Sequence, residues 1–492
     1  MPELEYSDLG LLDPLSHDTR ARELTGDKAW LRAMADVELA LSRALIATEL
    51  APDWMSAVCD ELATGVWLDD ATAQAIAAGG RSGGNPVIPL VKRMSSAAEA
   101  VRPGASDFIH VGATSQDILD SAAMVIAGEV LAEILVRLRS LAWELSALAD
   151  AHRGSVMAGR TLGQQASPTT FGFVAAGWLD AVLTVYERAA ALRATLPAQL
   201  GGAVGNLAVL TEAAASDRVV ESVVVRFARG LGLAVPRISW HTNRLVVAEL
   251  AALLAQITGV VGTIALDVTV LSRTEIGEVT ERLGVGEGGS SAMPHKRNPV
   301  TAVLIVSAAR QTPGLLATVH GSLLSEDQRP AGAWHAEWQP LRDLEGHALA
   351  ATTAAASLAG RLDVDLERMA ANLEVTDGLI YSERVTAILT DALGKSAAFA
   401  MVEKASAESV TTRRPLRVVL SGLLVAHGSH EDLRARVWSA CEPGGSSDQS
   451  AAAIDKVLAR HLRVISPSSD DAPADSPALH DETLHDEGST AP

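Results

Sequence analysis

Basic residues, aromatics and cysteines are all scarce in this chain. Lysine and arginine number 40 against 60 aspartates and glutamates, a formal charge of −20. That imbalance argues against a nucleic-acid or membrane surface as partner. It leaves room for an anionic small substrate, because a local basic pocket can sit inside an acidic protein. Only two cysteines occur, Cys59 and Cys441, far apart, so neither a disulfide framework nor a metal-ligand spacing is present and core packing is their expected role. No nucleotide fingerprint, Walker loop or metal-binding cluster is found, so no cofactor and no metal are expected. The opening Met1-Pro2-Glu3-Leu4-Glu5 carries no basic-then-apolar leader. No run of roughly eighteen uncharged apolar residues stands without a helical seam to explain it. A soluble, cytoplasmic protein is expected.

What the chain does have is length and aliphatic bulk. Its 492 residues are 48% apolar and only 3% aromatic, enough for two to four domains. Alanine and leucine dominate, and both favour helix. Residues 1–112 mix short helices with breaks such as Gly79-Gly80 and Gly83-Gly84-Asn85-Pro86. Residues 113–365 read as very long helices. Leu250, Leu254, Ile257, Val261, Ile264, Val268 and Leu271 step by four and three without interruption, as do Leu131, Leu135, Leu138, Ala142 and Leu145. That spacing keeps one stripe facing partner helices and marks a bundle seam. Helices of such length need partners along their whole extent, which predicts an oligomer built on a shared bundle. Residues 366–464 return to shorter helices, broken at Gly378, Gly394 and Gly428. The tail, 465–492, lacks Lys and Arg and is rich in Pro, Ser, Asp and Glu; disorder is expected there. The expected class is all-α, with no internal repeat.

Three segments carry chemistry. In Gly289-Ser290-Ser291-Ala292-Met293-Pro294-His295-Lys296-Arg297-Asn298-Pro299, two serines, a lysine and an asparagine share one loop. The preceding Gly284, Gly286, Gly288 and Gly289 deny it a regular interior and make it flexible. Such a loop can close over an anionic substrate and exclude water. Its ammonium and amide can hold a carboxylate while an ionised hydroxyl removes a nearby C–H proton. The second segment, Ile109-His110-Val111-Gly112-Ala113-Thr114-Ser115-Gln116-Asp117, stands just before a long helix. Thr114 or Ser115 is the expected N-cap, and a helix N-terminus with free hydroxyls binds anions. Asp117 is expected to cap or orient that loop. The third is Gly159-Arg160-Thr161-Leu162-Gly163-Gln164-Gln165-Ala166-Ser167-Pro168.

These segments resemble the fumarase/aspartase superfamily, whose signature loop reads GSSxMPxKxNP and whose third motif reads GRTHGQxAxP. Gly84-Asn85-Pro86-Val87-Ile88-Pro89-Leu90, Trp240-His241-Thr242 and Ala333-Trp334-His335 extend the likeness to the 3-carboxy-cis,cis-muconate cycloisomerase branch, which includes nitrosuccinate lyase-like enzymes. The resemblance covers residues 10 to 420. It implies a three-domain, homotetrameric enzyme with a long central helical bundle and active sites shared between subunits. It also implies that Ser290 is the base, removing a proton next to a carboxylate through an aci-carboxylate intermediate that Lys296 stabilises. Lys296 and Asn298 match substrate-carboxylate contacts. Thr114, Ser115 and Gln116 are expected to hold another carboxylate, with Asn85, Arg160, Thr161 and Arg329 as further binding candidates. His110 and His241 match positions lining the site, with His335 a weaker candidate; each is equally readable as a buried, hydrogen-bonded histidine.

The chain departs from the superfamily at two positions. Leu162 stands where relatives carry histidine, and Gln165 stands where cycloisomerases often carry another. Expelling a strongly basic group without a general acid forgoes about 10²–10⁴-fold in rate. A leaving group with a parent pKa of about 4 or below gains little from protonation at neutral pH. The expected reaction is therefore elimination of a weakly basic group from a di- or tricarboxylate. Nitrosuccinate, giving fumarate and nitrite, leads the reading, with carboxymuconate lactonisation as the alternative. An adenylosuccinate lyase-like activity, disfavoured by Leu162, and a non-catalytic scaffold are lesser ones.

Overall fold

The computed structural model describes residues 12–15, 19–284, 286–289, 293, 295–443 and 448–465. Ser290, the base that the signature loop implies, and the tail beyond 465 lie outside the described residues.

Five long helices, Ser115–Ala151, Phe171–Arg193, Leu245–Leu271, Val300–Gly321 and Ala333–Gly360, pack together as the central bundle. At about 1.5 Å per residue the first, of 37 residues, is roughly 55 Å long. Its start is fixed by a reciprocal cap, in which the Thr114 amide donates to Asp117 Oδ2 at 2.9 Å. Every member of the Leu250–Leu271 seam is buried, as are Leu131, Leu138, Ala142 and Leu145, with Leu135 half-buried. The periodic stripe is thus the surface each helix turns toward its partners.

The remaining helices are shorter and flank the bundle. A buried cluster from Leu39 to Ile109 fills the N-terminal end, and another from Leu373 to Cys441 fills the C-terminal helices. Cys59 and Cys441 are buried there as free thiols. The last helix, Asp448–Ile465, returns to the bundle, where Arg460 donates to Asp180 Oδ1 at 2.6 Å.

One segment differs from the expected helix-flanking loop. Val156–Thr161 and Gln164–Thr170 form an antiparallel hairpin, turned by Leu162 at φ 51° and Gly163 at φ 81°. Two successive left-handed residues make the tight reversal that suits twisted strands. Leu162 is fully exposed at the tip.

Leu245–Leu271 and Val300–Gly321 are long and apolar enough to cross a bilayer. The first owes its composition to the bundle core, since most of its apolar window is buried by protein; only 22% of the second's is. That second helix keeps Val300 and Val303 open to solvent in the single chain.

Candidate active site

The site is organised around Asp117, in the first turn of the Ser115–Ala151 helix and wholly buried. Besides the Thr114 amide, its carboxylate accepts the amides of Gly201 and Gly202, each at 2.9 Å, and meets His241 Nε2 at 2.7 Å. Donors of this kind offset the cost of burying a carboxylate. Asp117 therefore ties the helix start to the Gly201–Gly205 loop and to the Trp240-His241 segment. His241 is 4% exposed. Its imidazole is therefore shut away from solvent, with Nε2 spent on Asp117.

One turn further along, Asp120 accepts two bonds from Arg244, at 2.7 and 3.0 Å, and one from the Trp334 indole at 3.0 Å. Arg244 also donates to Glu337 through two nitrogens. All three charged groups are buried. Desolvation pushes the Glu337 carboxyl up to about 7 against the opposing pull of Arg244. Two carboxylates thus share one guanidinium, and the cluster ties Leu245–Leu271 and Ala333–Gly360 to the helix that bears Thr114.

The arginines divide by what neutralises them. Arg160 makes a two-pronged pair with buried Glu278, at 2.9 and 2.7 Å, which Asn372 also joins. Its charge is consumed inside the chain. Arg329 differs, donating to Gln116 Oε1 and Thr114 Oγ1, each at 3.0 Å, and to the Ala203 carbonyl at 3.2 Å. All three acceptors are neutral. Among the described residues Arg329 has no carboxylate partner, so its positive charge remains available to an anion at the helix N-terminus. Gln116 is itself fixed by donating to the His241 carbonyl at 2.8 Å. Ser115 opens the helix beside it, its hydroxyl without a hydrogen-bond partner among the described residues.

Thr114, Gln116 and Arg329 are therefore brought into contact, with Ser115 adjacent. Arg160 and Thr161 lie on the hairpin, with Thr161 exposed, and share no hydrogen bond with that group. Gln165, the other position without an imidazole, donates instead to the Asn372 carbonyl at 2.9 Å. Asn85 Oδ1 accepts from the Val87 amide at 3.1 Å and so caps the following helix. His335 packs against Trp338 with ring centroids 4.6 Å apart, beside Gly84.

His110 sits at φ 63°, a backbone state costly for a side-chain-bearing residue. Its Nδ1 meets Glu38 Oε1 at 2.6 Å. Burial lowers the imidazole's pKa, but the Glu38 bond and charge, with Asp117's charge, outweigh it and leave the group raised above 6.5. The pair contributes stability that is complete below that pH and is lost as pH rises through the folded value.

The signature loop is drawn closed at its base. Asn298 donates from its amide and its side chain to the Gly288 carbonyl, at 3.1 and 3.2 Å, and Gly289 bridges Arg297. Lys296 is exposed and makes no ion pair among the described residues.

Sequence reasoning missed Glu38 and the Gly201–Gly205 loop. The loop had a signal in Gly201-Gly202-Ala203-Val204-Gly205, where Gly202 and Gly205 take positive φ. Glu38 showed only as an acidic residue on an otherwise buried helical stripe.

Residues 15–314 match the lyase family. The chain belongs to that family, within the fumarase/aspartase superfamily. It is 44% identical over 423 residues to a nitrosuccinate lyase of Streptomyces davaonensis, covering 85% of this chain and 89% of that one. It is 37% identical over 444 residues to a 3-carboxy-cis,cis-muconate cycloisomerase of Pseudomonas aeruginosa, covering 89% and 94%. The 3-carboxy-cis,cis-muconate lactonizing enzyme from Pseudomonas putida superposes with a TM-score of 0.83 at 33% identity, over 92% of this chain and 99% of that chain. This superfamily member is an enzyme, and small carboxylates are the substrate class on which superfamily enzymes act.

Proposed function

We propose that this enzyme eliminates a weakly basic leaving group from a substituted succinate, with nitrosuccinate giving fumarate and nitrite. The observation that carries the reading is Arg329 at the Thr114–Gln116 helix start, without a carboxylate partner among the described residues, joined with the absence of an imidazole at Leu162 and Gln165. Arg329, Thr114, Ser115 and Gln116 hold one carboxylate. Lys296 and Asn298 hold the other when the signature loop closes. Ser290, as alkoxide, takes a proton from the carbon next to a carboxylate, whose aci form stores the electron pair beside fixed cationic donors. Collapse forms the double bond and expels nitrite, which needs no acid. The kinship with the Streptomyces lyase supports this choice.

The same reading makes the enzyme a cytoplasmic homotetramer with composite sites, in which other copies cover the open Val300–Gly321 helix and supply the loop's partners. It divides the chain at 1–112, 113–365 and 366–464, with 465–492 appended. Within it Asn85, Arg160 and Thr161 support the binding surface, His241 orients Asp117 at the helix start, and His110 offers a hydrogen-bond donor to the substrate. Carboxymuconate lactonisation is the second reading, favoured by the 0.83 superposition.

Purified protein is to be tested for fumarate and nitrite from nitrosuccinate, beside an absorbance assay on 3-carboxy-cis,cis-muconate. Both products from the first establish the lyase. Loss of muconate absorbance without fumarate makes it a cycloisomerase. Lys296→Met is expected to weaken dicarboxylate binding sharply, seen as loss of the thermal shift that fumarate gives the wild type. An undiminished shift would show that the loop does not clamp substrate.

A further inference from the structure

The chain has no imidazole at Leu162 or Gln165, where the resemblance implies one, but it carries His110 four residues before Thr114 and within reach of Asp117's charge. The Asp27–Ile46 helix presents Glu38 on its buried stripe, wholly shielded from solvent, with one oxygen on His110 Nδ1 at 2.6 Å and the other without a partner among the described residues. One turn on, Ser42 donates to the Phe108 carbonyl at 3.2 Å and tethers the backbone just before His110. The left-handed backbone at His110 is held from the far side by Gly112, also at positive φ, where a Cβ would lie 2.5 Å from Leu210 Cγ. The strained turn is thus built from both sides. His110 keeps 22% of its side-chain surface, and among the described residues its Nε2 has no hydrogen-bond partner.

We propose that Glu38 is the positioning residue for His110, holding the proton on Nδ1 and keeping the ring cationic, so that Nε2–H is presented to a substrate anion beside Thr114. The physical warrant is charge balance. A buried carboxylate with a single polar partner is stable only if that partner is cationic or the carboxyl is protonated. The charged groups bearing on the ring are Glu38 from the Asp27–Ile46 helix and Asp117 from the Ser115–Ala151 helix, both acidic. Arg329 is held on Thr114 and Gln116 and does not act on the ring. Both acidic groups favour the imidazolium. The donated bond stabilises the charge that gathers on the leaving group in the transition state, without full proton transfer. This rests on the proposed elimination, but its test does not.

Histidine-labelled protein is titrated by NMR in the wild type, His110→Asn (to assign the ring), Glu38→Gln and Glu38→Asp. In Glu38→Gln the His110 midpoint is expected to fall by about one pH unit or more. The rate with whichever substrate is accepted is expected to fall by about tenfold or more, in kcat rather than KM, as for the loss of a fixed donor to developing charge. Glu38→Asp is expected to restore part of both. An unmoved His110 midpoint in Glu38→Gln overturns the assignment, whatever the rates show. If that variant does not fold, Glu38→Asp is the reading: a lowered midpoint supports the coupling and an unchanged one overturns it. Failure of both substrates in the wild type counts against the elimination alone, because the titration still decides Glu38.

Discussion

Ser290→Ala is expected to abolish turnover, a loss of at least roughly 10²–10⁴-fold, while the fold and its melting temperature stay as in the wild type. The hydroxyl is the only atom removed, and the signature loop closes through Gly288 and Asn298, on either side of it. A single-atom deletion that kills chemistry without touching structure is what a base predicts. Wild-type-like fumarate formation by this variant would remove Ser290 from the mechanism. Binding gives a second readout: fumarate is expected still to raise the melting temperature, since Arg329, Lys296 and Asn298 remain.

Arg244→Met is expected to be the most damaging structural change. It leaves Asp120 and Glu337 buried with no cation between them, at a cost of about 3–5 kcal/mol. Catalysis is expected to fall too, because Asp120 also receives the Trp334 and Gln116 donors. The pH dependence gives the claim a sign. Glu337 is raised to about 7 by burial even with Arg244 present, and removing the cation raises it further. Protonation relieves the stranded charge, so the variant's deficit is expected to shrink as pH falls through that raised value. Thermal unfolding from pH 8 to 5 measures it. A deficit that stays constant across this range would mean that the cluster is not held by charge.

How much of this was open to reading beforehand differs by residue. The bundle seams were visible because burial on a helix recurs every three or four positions, and Leu250 to Leu271 obey that spacing without exception. Thr114 and Gln116 were visible because a motif names them and Arg329 only as a further binding candidate, but their contact, between residues 213 and 215 positions apart, was not. Arg160 and Arg329 were both binding candidates. Only their partners, Glu278 for one and neutral acceptors for the other, separate a structural cation from an available one.

Local rules that act within one or two turns therefore settled the helices, the cap at Thr114 and the all-α class. The tight hairpin at Leu162 escaped them, because Arg-Thr-Leu-Gly-Gln carries no strong turn preference beyond Gly163. Which charges meet is a property of the packed bundle. Glu38 and His110, 72 positions apart, become a pair only when the Asp27–Ile46 helix docks against the start of Ser115–Ala151. Desolvation and charge pairing depend on what every neighbouring element contributes, so they exist only once the chain has folded.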